Sequence, residues 1–512
     1  MMTRLYADLP RSTAQQIAIS ALAGQGQYGM VSDLAEKYGV PRRTVYELLD
    51  QGRVAVEAAF AQDGGVEPGT ITLQITERDI MRSLIAMRVA TPSSIRDLVA
   101  VMPVLYGFGW SYGKIQSRLA EAERRADEFL RKVDLSRIEY AALDEMFSQG
   151  RPVFGGVDLD SQYLFQLEVH RHRGGEDWAK SLGKLRDEQN LSPRSVVKDA
   201  GSGLAKGVED CWPDAEHRDD LFHAVYMMGQ ESYHLERRAY GAITRVDDLI
   251  AKSGRARSET ARRSLGQKTR KARKHADHAI DRFDRFEALR YEAKRVLELT
   301  DPGSGKLRTP AEVQQVLTQV GTEMESLEGS RIRKVAKYLR NRAAGLGRYL
   351  DDLGQRLEAV TEEAGGRRVV QAALRAYQAS LSAGRKAPAW ERQQCKRELS
   401  KATDHLLKVT EGKPERVMRV MSLVVPVVQR RHRASSAIEN LNSVLRPYLV
   451  VQKNVEQGFL DLFRFYWNTR KREWGRGKGT SPYEELTGEP VEDWLTLLGY
   501  PPSEAFTESL AA

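Results

Sequence analysis

Val153-Phe-Gly-Gly-Val-Asp-Leu-Asp160 and, further along, Ser195-Val-Val-Lys-Asp199 decide how this chain reads. Val153–Val157 is an apolar and glycine run with the pattern of a buried first strand, and it delivers Asp158 and Asp160. Ser195–Lys198 is a second strand-like run that delivers Asp199. Two strands that each end in an aspartate bring hard oxygen ligands together, the donor set that suits Mg²⁺. Side chains two apart on a strand share a face, so Asp158 and Asp160 compete as the first ligand. The Gly-apolar-Asp pattern points to Asp158, and the plainer alternative is that both close a hairpin turn.

Working outward, Tyr163–Val169 reads as a strand joined to the first by a tight turn, and Trp178–Glu188 as an amphipathic helix. The order strand, strand, helix, strand suits a nuclease-type α/β sheet. Asp199-Ala-Gly-Ser-Gly203 is a glycine-rich turn that lets backbone approach a phosphate or metal. Asp214, His217 and His223 follow, and each histidine reads equally well as a satisfied buried side chain. Far downstream, Ser436–Arg446 is a helix in which Ile438, Leu441 and Leu445 set Glu439 at a buried boundary. The alternative for Glu439 is a solvated helix position.

The 512 residues exceed one ordinary core and predict two to four domains. The 41% apolar and 29% charged fractions fit globular domains, and a net charge of +9 favours a polyanionic partner. Cys211 and Cys395 alone make neither a disulfide framework nor a cysteine-rich zinc site. No apolar run reaches membrane-spanning length and Met1–Pro10 has no apolar signal core, so a soluble, cytoplasmic protein is expected.

Near the start, Ser32–Gly39 and Val40–Leu49 have the rhythm of a helix-turn-helix, with Ser32 as cap, Gly39 as turn and Pro41 opening the second helix. That places Arg42, Arg43, Thr44 and Tyr46 at an exposed helix start, where a recognition helix meets the major groove. Gly64–Gly69 reads as a linker, and Glu77–Arg88, Pro92–Val101 and Ser111–Val133 as a second helical unit. From 230 to 430 glycine and proline are sparse and the pattern is helical. Within it Arg255, Arg257, Arg262, Arg263, Lys268, Arg270, Lys271, Arg273 and Lys274 are interrupted by one acid, Glu259, a composition suited to phosphate backbones. Phe459–Trp467 has helical spacing and is expected to pack the Glu439 helix onto the core.

Gly156-Val-Asp158, Asp199-Ala-Gly-Ser-Gly203, Asp220-Leu-Phe-His223 and the Glu439 helix resemble, in this order, the signatures of bacterial insertion-sequence DDE transposases with an RNase H-like domain. Asp214-Ala-Glu-His217 is similar to the (Cys/Asp)-x-x-His motif of their Mutator-type relatives. The resemblance covers roughly residues 145–235 and 430–500. It implies an α/β RNase H-like core interrupted by a long all-helical insertion, in a chain mostly α overall. The expected layout is a helix-turn-helix domain at 1–62, a second DNA-binding helical unit at 70–140, the core at 145–235, the insertion at 236–428, and the triad helix with an aromatic tail at 429–512. Asp158, Asp199 and Glu439 would be the catalytic acids, with Asp160 a further metal ligand, for two Mg²⁺ ions that Mn²⁺ can replace. Asp214, His217 and His223 would position them. Double-stranded DNA, at transposon ends and target, would be the substrate of a nucleoid-associated dimer or higher oligomer. The alternative is a catalytically silent DNA-binding regulator.

Overall fold

The computed structural model describes residues 9–25, 27–60, 74–198, 201–301, 304–384, 389–432, 436–452 and 454–511. They form two compact units, Met1–Ile75 with Glu504–Ala512, and Thr76–Ser503. The chain is mostly helical around one small mixed sheet of five strands.

In the first unit, α1 (Arg11–Ala23), α2 (Met30–Tyr38) and α3 (Arg42–Phe60) close around Ile17, Ala21, Val45 and Leu48. Gly39 ends α2 at φ 64°, the left-handed turn expected there. Ser32 is not the cap: α2 starts earlier, at Met30 after Gly29.

The second unit opens with α4 (Glu77–Ala90), α5 (Ile95–Tyr106) and α6 (Tyr112–Leu130), capped by Thr76, Ser94 and Ser111. Then comes a strand the sequence pattern does not announce, β1 (Tyr140–Ser148), ahead of β2 (Arg151–Asp158) and β3 (Leu164–Val169). The run at Val153 is therefore the second strand, not the first. After α7 (Gly175–Gln189) come β4 (Ser195–Lys198), α8 (Ser202–Cys211) and β5 (Glu216–Asp219). The sheet order is β3-β2-β1-β4-β5, with β1 antiparallel to β2 and parallel to β4.

Register assigns every residue of β1 to a face. Ala141 lies opposite Asp158, and Leu143 opposite Gly156 and Lys198; this face meets Phe154, Phe165, Val196 and Trp178. Trp178 of α7 stacks on Phe154 with centroids 3.7 Å apart. A Cβ on Gly203 would stand 2.2 Å from the Arg173 carbonyl oxygen, and one on Gly207 2.3 Å from Trp178. Gly203 and Gly207 thus let α8 pack closely on the segment 173–179. Ala142, Asp144 and Met146 point to the other face. There the helix that carries Glu439 and the aromatic helix after it cover the sheet.

Between β5 and that face run eight helices: α9 (Leu221–Arg255), α10 (Glu259–Val296), α11 (Pro310–Glu325), α12 (Ser330–Gly347), α13 (Tyr349–Ala359), α14 (Arg367–Ala383), α15 (Ala389–Val409) and α16 (Pro414–Gln429). They share a core that includes Leu235, Phe286, Leu317, Leu339, Leu353 and Val424. The chain then returns through α17 (Ser436–Val451) and α18 (Gln457–Thr469), whose Ile438, Leu441, Phe459 and Phe463 pack on the sheet as the aromatic spacing predicted. Short helices α19 (Pro482–Thr487) and α20 (Trp494–Leu497) finish the unit. Leu462 and Phe465 of α18 share a core with α4, α5 and α6, and Lys114 and Arg118 of α6 pair with Glu77. Among the described residues no helix is long and apolar enough to cross a membrane.

One carboxylate fastens the helical insertion to the sheet. Asp352 of α13, 3% exposed, meets Arg356 at 2.8 Å, Arg194 at 3.1 Å and Arg218 of β5 at 3.2 Å. The Tyr140 hydroxyl donates to it at 3.3 Å. Removing one partner of a buried ion pair leaves an uncompensated charge, so Asp352→Ala should cost about 3–5 kcal/mol in urea unfolding. The pair replacement Asp352→Leu with Arg218→Met should recover most of that loss. Equal stability of wild type and Asp352→Ala would show that the arginines find other partners.

Candidate active site

The face of the sheet under α17 carries an acid at the centre of the fold. Asp144 sits midway along β1, opposite Gly155, half-buried. Asn442 of α17 donates through Nδ2 to its Oδ2 at 2.7 Å, and the Glu145 backbone N–H donates to its Oδ1 at 2.8 Å. Glu439 stands one helical turn before Asn442, and both line a cavity of about 380 Å³ with Asp144, Glu145 and Arg446. Helical spacing explains the set, since positions i, i+3 and i+7 of α17 share a side. Two hard carboxylates from different elements therefore open on one space, with a guanidinium beside them. Neither Asp144 nor Asn442 stands out in sequence.

Asp199 lies outside the described residues. Its chain neighbour Lys198 lies opposite Leu143, the residue before Asp144.

Asp158 does not join this site. Its register partner Ala141 belongs to the opposite face of the sheet, and strand geometry sets it roughly 10 Å from the level of Asp144 along β1. Its carboxylate accepts from the Ser161 N–H at 2.8 Å and the Ser161 hydroxyl at 2.5 Å, closing the turn between β2 and β3. Burial pushes its carboxyl above the ordinary value, more than the Ser161 bonds and the Asp160 N–H lower it, and its Oδ1 is buried. These bonds give Asp158 a turn-closing role, the part of the hairpin alternative that concerns it. Asp160 is engaged elsewhere: His432 Nε2 lies 3.0 Å away, Arg430 Nε 3.1 Å and Arg476 Nη2 3.7 Å.

The three residues expected to position the acids are not at the cavity. Asp214 is exposed in the turn before β5. His217, opposite Val196, turns to the other face and its ring nitrogen lies 3.3 Å from the Trp212 carbonyl. His223 on α9 packs its ring 5.3 Å from that of Tyr338.

On α3, Arg42, Arg43 and Tyr46 are exposed, and Arg43 pairs with Glu47 at 3.1 Å. Thr44 is not: at 1% exposure it belongs to the core of that unit, because Val45 and Leu48 turn this side of the helix inward. Arg262, Arg263, Lys268, Arg270 and Lys271 are all exposed on α10. They lie in an arm, residues 243–275, where α9 and α10 run on past their last buried alanines, Ala242 and Ala276. None of those residues is buried. The arm holds eleven Lys and Arg against three Asp and Glu, +8 of the formal +9 of the whole chain.

Among the described residues no group of three His, Cys, Asp or Glu is gathered to hold a metal. Asp144 and Glu439 supply two hard ligands, and a site of this chemistry suits Mg²⁺ or Mn²⁺ over zinc. Comparison with protein-family models and with curated proteins finds no match.

Residues behind a ligand typically tune affinity by about 10–100-fold. Titrating Mn²⁺ into the purified chain should show Asn442→Ala weaker by that factor and Asp144→Asn weaker still. Asp158→Asn, whose amide oxygen can accept both Ser161 bonds, should bind Mn²⁺ like wild type. A loss confined to Asp158→Asn would return the site to the other face.

Proposed function

We propose that the Asp144–Glu439 cavity is the catalytic centre of a metal-dependent DNA transposase, with Asp199 as its third acid. The observation that carries this is the joining of Asp144 to the Glu439 helix through Asn442 in one open cavity. Two further features support it. The order β3-β2-β1-β4-β5 with only β2 reversed is compatible with the RNase H-like sheet that the resemblance implies. In the sequence Asp199 follows Lys198, the last residue of β4, which is the parallel neighbour of β1.

Asp144, Asp199 and Glu439 would hold Mg²⁺ there. When bound, the ions stabilise charge on the attacking and leaving oxygens of an in-line phosphoryl transfer. The chain's own part is orientation. Asn442 and the Glu145 N–H fix both oxygens of Asp144, leaving little rotamer freedom to lose when substrate arrives. Arg446 offers a guanidinium to a phosphate in the same cavity. The α9–α10 arm would grip duplex backbone, and Arg42, Arg43 and Tyr46 would read a groove.

The test is strand nicking of a duplex that carries the chain's own gene with its flanks, in Mg²⁺ or Mn²⁺. Asp144→Asn, Asp199→Asn and Glu439→Gln should each lose at least about 100-fold, and Asp158→Asn should stay within a few-fold of wild type. Wild-type rates in Asp144→Asn would remove the assignment. Tight binding without nicking by the wild type would favour the regulator reading.

The arm makes a separate prediction. Reversing Arg262, Arg263, Lys271 and Lys274 to Glu should weaken all duplexes alike and flatten the slope of log affinity against log salt by about 0.9 for each phosphate no longer neutralised. An unchanged slope would show that the arm does not touch phosphate.

A further inference from the structure

Asp160 lies beside Arg430, His432 and Arg476. Burial alone would raise its carboxyl; the His432 hydrogen bond and the charges of Arg430 and Arg476 outweigh that and hold it below the ordinary value. His432 and Arg476 also wall a cavity of about 480 Å³ with Arg431, Gln162, Gln429 and Asn440. Among the described residues no carboxylate lines it. Arg431 is itself held, donating to the Val428 carbonyl at 3.0 Å and the Tyr377 hydroxyl at 3.4 Å.

Asp160 is shared by Arg430 and Arg476, and among the described residues Arg431 has no carboxylate partner, so positive charge is in excess here, and a phosphate accepts from Arg431, Arg476 and the amides beside them. The cavity reaches Asn440, the residue after Glu439, but on the other flank of α17 from the Asp144 cavity. The two spaces are thus separated by about one helix diameter, on the order of 10 Å. A strand lying across α17 could place one phosphate in each.

We propose that this cavity holds a backbone phosphate of the DNA strand being cut, close along the strand to the phosphodiester at Asp144 and Glu439. It rests on the nuclease reading of that neighbouring cavity. Asp160 is then a positioning residue, presenting the arginines through the bonds it accepts.

The experiment titrates the dinucleotide pTpT and inorganic phosphate into the full-length chain in EDTA, so that no divalent ion contributes. Arg431→Gln with Arg476→Gln should weaken pTpT by about tenfold or more, the worth of one charge-assisted hydrogen bond. An equal charge change elsewhere, Arg186→Gln with Lys206→Gln, should not. Asp160→Asn should weaken pTpT too, yet leave Mn²⁺ affinity as in wild type, which a metal ligand could not do. In the nicking assay a single methylphosphonate close to the cut should slow wild type and add little in the Arg431/Arg476 variant. If wild type nicks DNA but pTpT binds the variant equally well, the phosphate pocket falls and the nuclease reading stands. If inorganic phosphate binds as tightly as pTpT, the cavity takes a free anion and the DNA assignment is overturned. If wild type binds pTpT but cuts no DNA, both readings fall together.

Discussion

The buried carboxylate of Asp352 ties the helical insertion to the sheet, with the Asp219–Arg342 pair beside it. Asp352 comes from the helical insertion, and its partners come from the start of β1 (Tyr140), the approach to β4 (Arg194) and β5 (Arg218). Arg218 and Arg356 also lie over the Tyr140 ring, at 5.5 and 5.6 Å. From there the connection continues: Tyr140 packs 4.7 Å from the His432 ring, and Arg218 donates to the His432 carbonyl at 3.3 Å. His432 in turn meets Asp160 at the β2 end. The stem that leads into α17 is therefore tied to the same charge cluster that seats the insertion. Such clusters return little net stability against an apolar substitute, but they accept few alternative geometries. That selectivity matters here, because eight helices intervene between β5 and the helix that must bring Glu439 back over β1.

Much of this was legible in sequence, and the misses share a cause. Helices with amphipathic spacing were placed, with ends that differ by up to eleven residues as in α3, while β3 and β4, whose apolar runs stand between turn residues, were found nearly to the residue. β1 was hidden because both of its faces are covered, so Tyr-Ala-Ala-Leu-Asp-Glu-Met-Phe shows no alternation and its alanines and acids look helical. β5, Glu-His-Arg-Asp, has no apolar residue at all; its side chains form ion pairs such as Arg218–Glu216 at 2.9 Å and Arg342–Asp219 at 3.1 Å. Propensity cannot see a strand that exists to be charged.

Missing β1 left Asp144 out of the sequence reading. A strand followed by an aspartate is a sound pattern, but antiparallel neighbours put their ends at opposite edges, and adjacent positions put side chains on opposite faces. Asp158 ends β2 and so stands beside the beginning of β1, on the face covered by α7 and α8. Only register can tell it from Asp144. Glu439 needed less: its place on a helix with an apolar side at Ile438, Leu441 and Leu445 already fixed which way it could look.

Charge is distributed as unevenly as burial. With +8 of the net +9 on the arm, the rest of the molecule is close to neutral, and many of its surface cations are already paired. At the base of the arm is a seam of small residues, Ala239, Ala242, Ala276 and Ala279, with Val246, Ile280 and Phe283 against it, and none of residues 243–275 is buried. The Asp144 cavity is the reverse, set on a central strand with packed neighbours on both sides. On the proposed reading, salt would loosen the grip of the arm long before it reached the geometry at Asn442, because exposed charges are screened over a Debye length of about 10 Å at 0.1 M and half-buried ones far less. Affinity and chemistry would then respond to ionic strength independently, as parts built from different physical terms should.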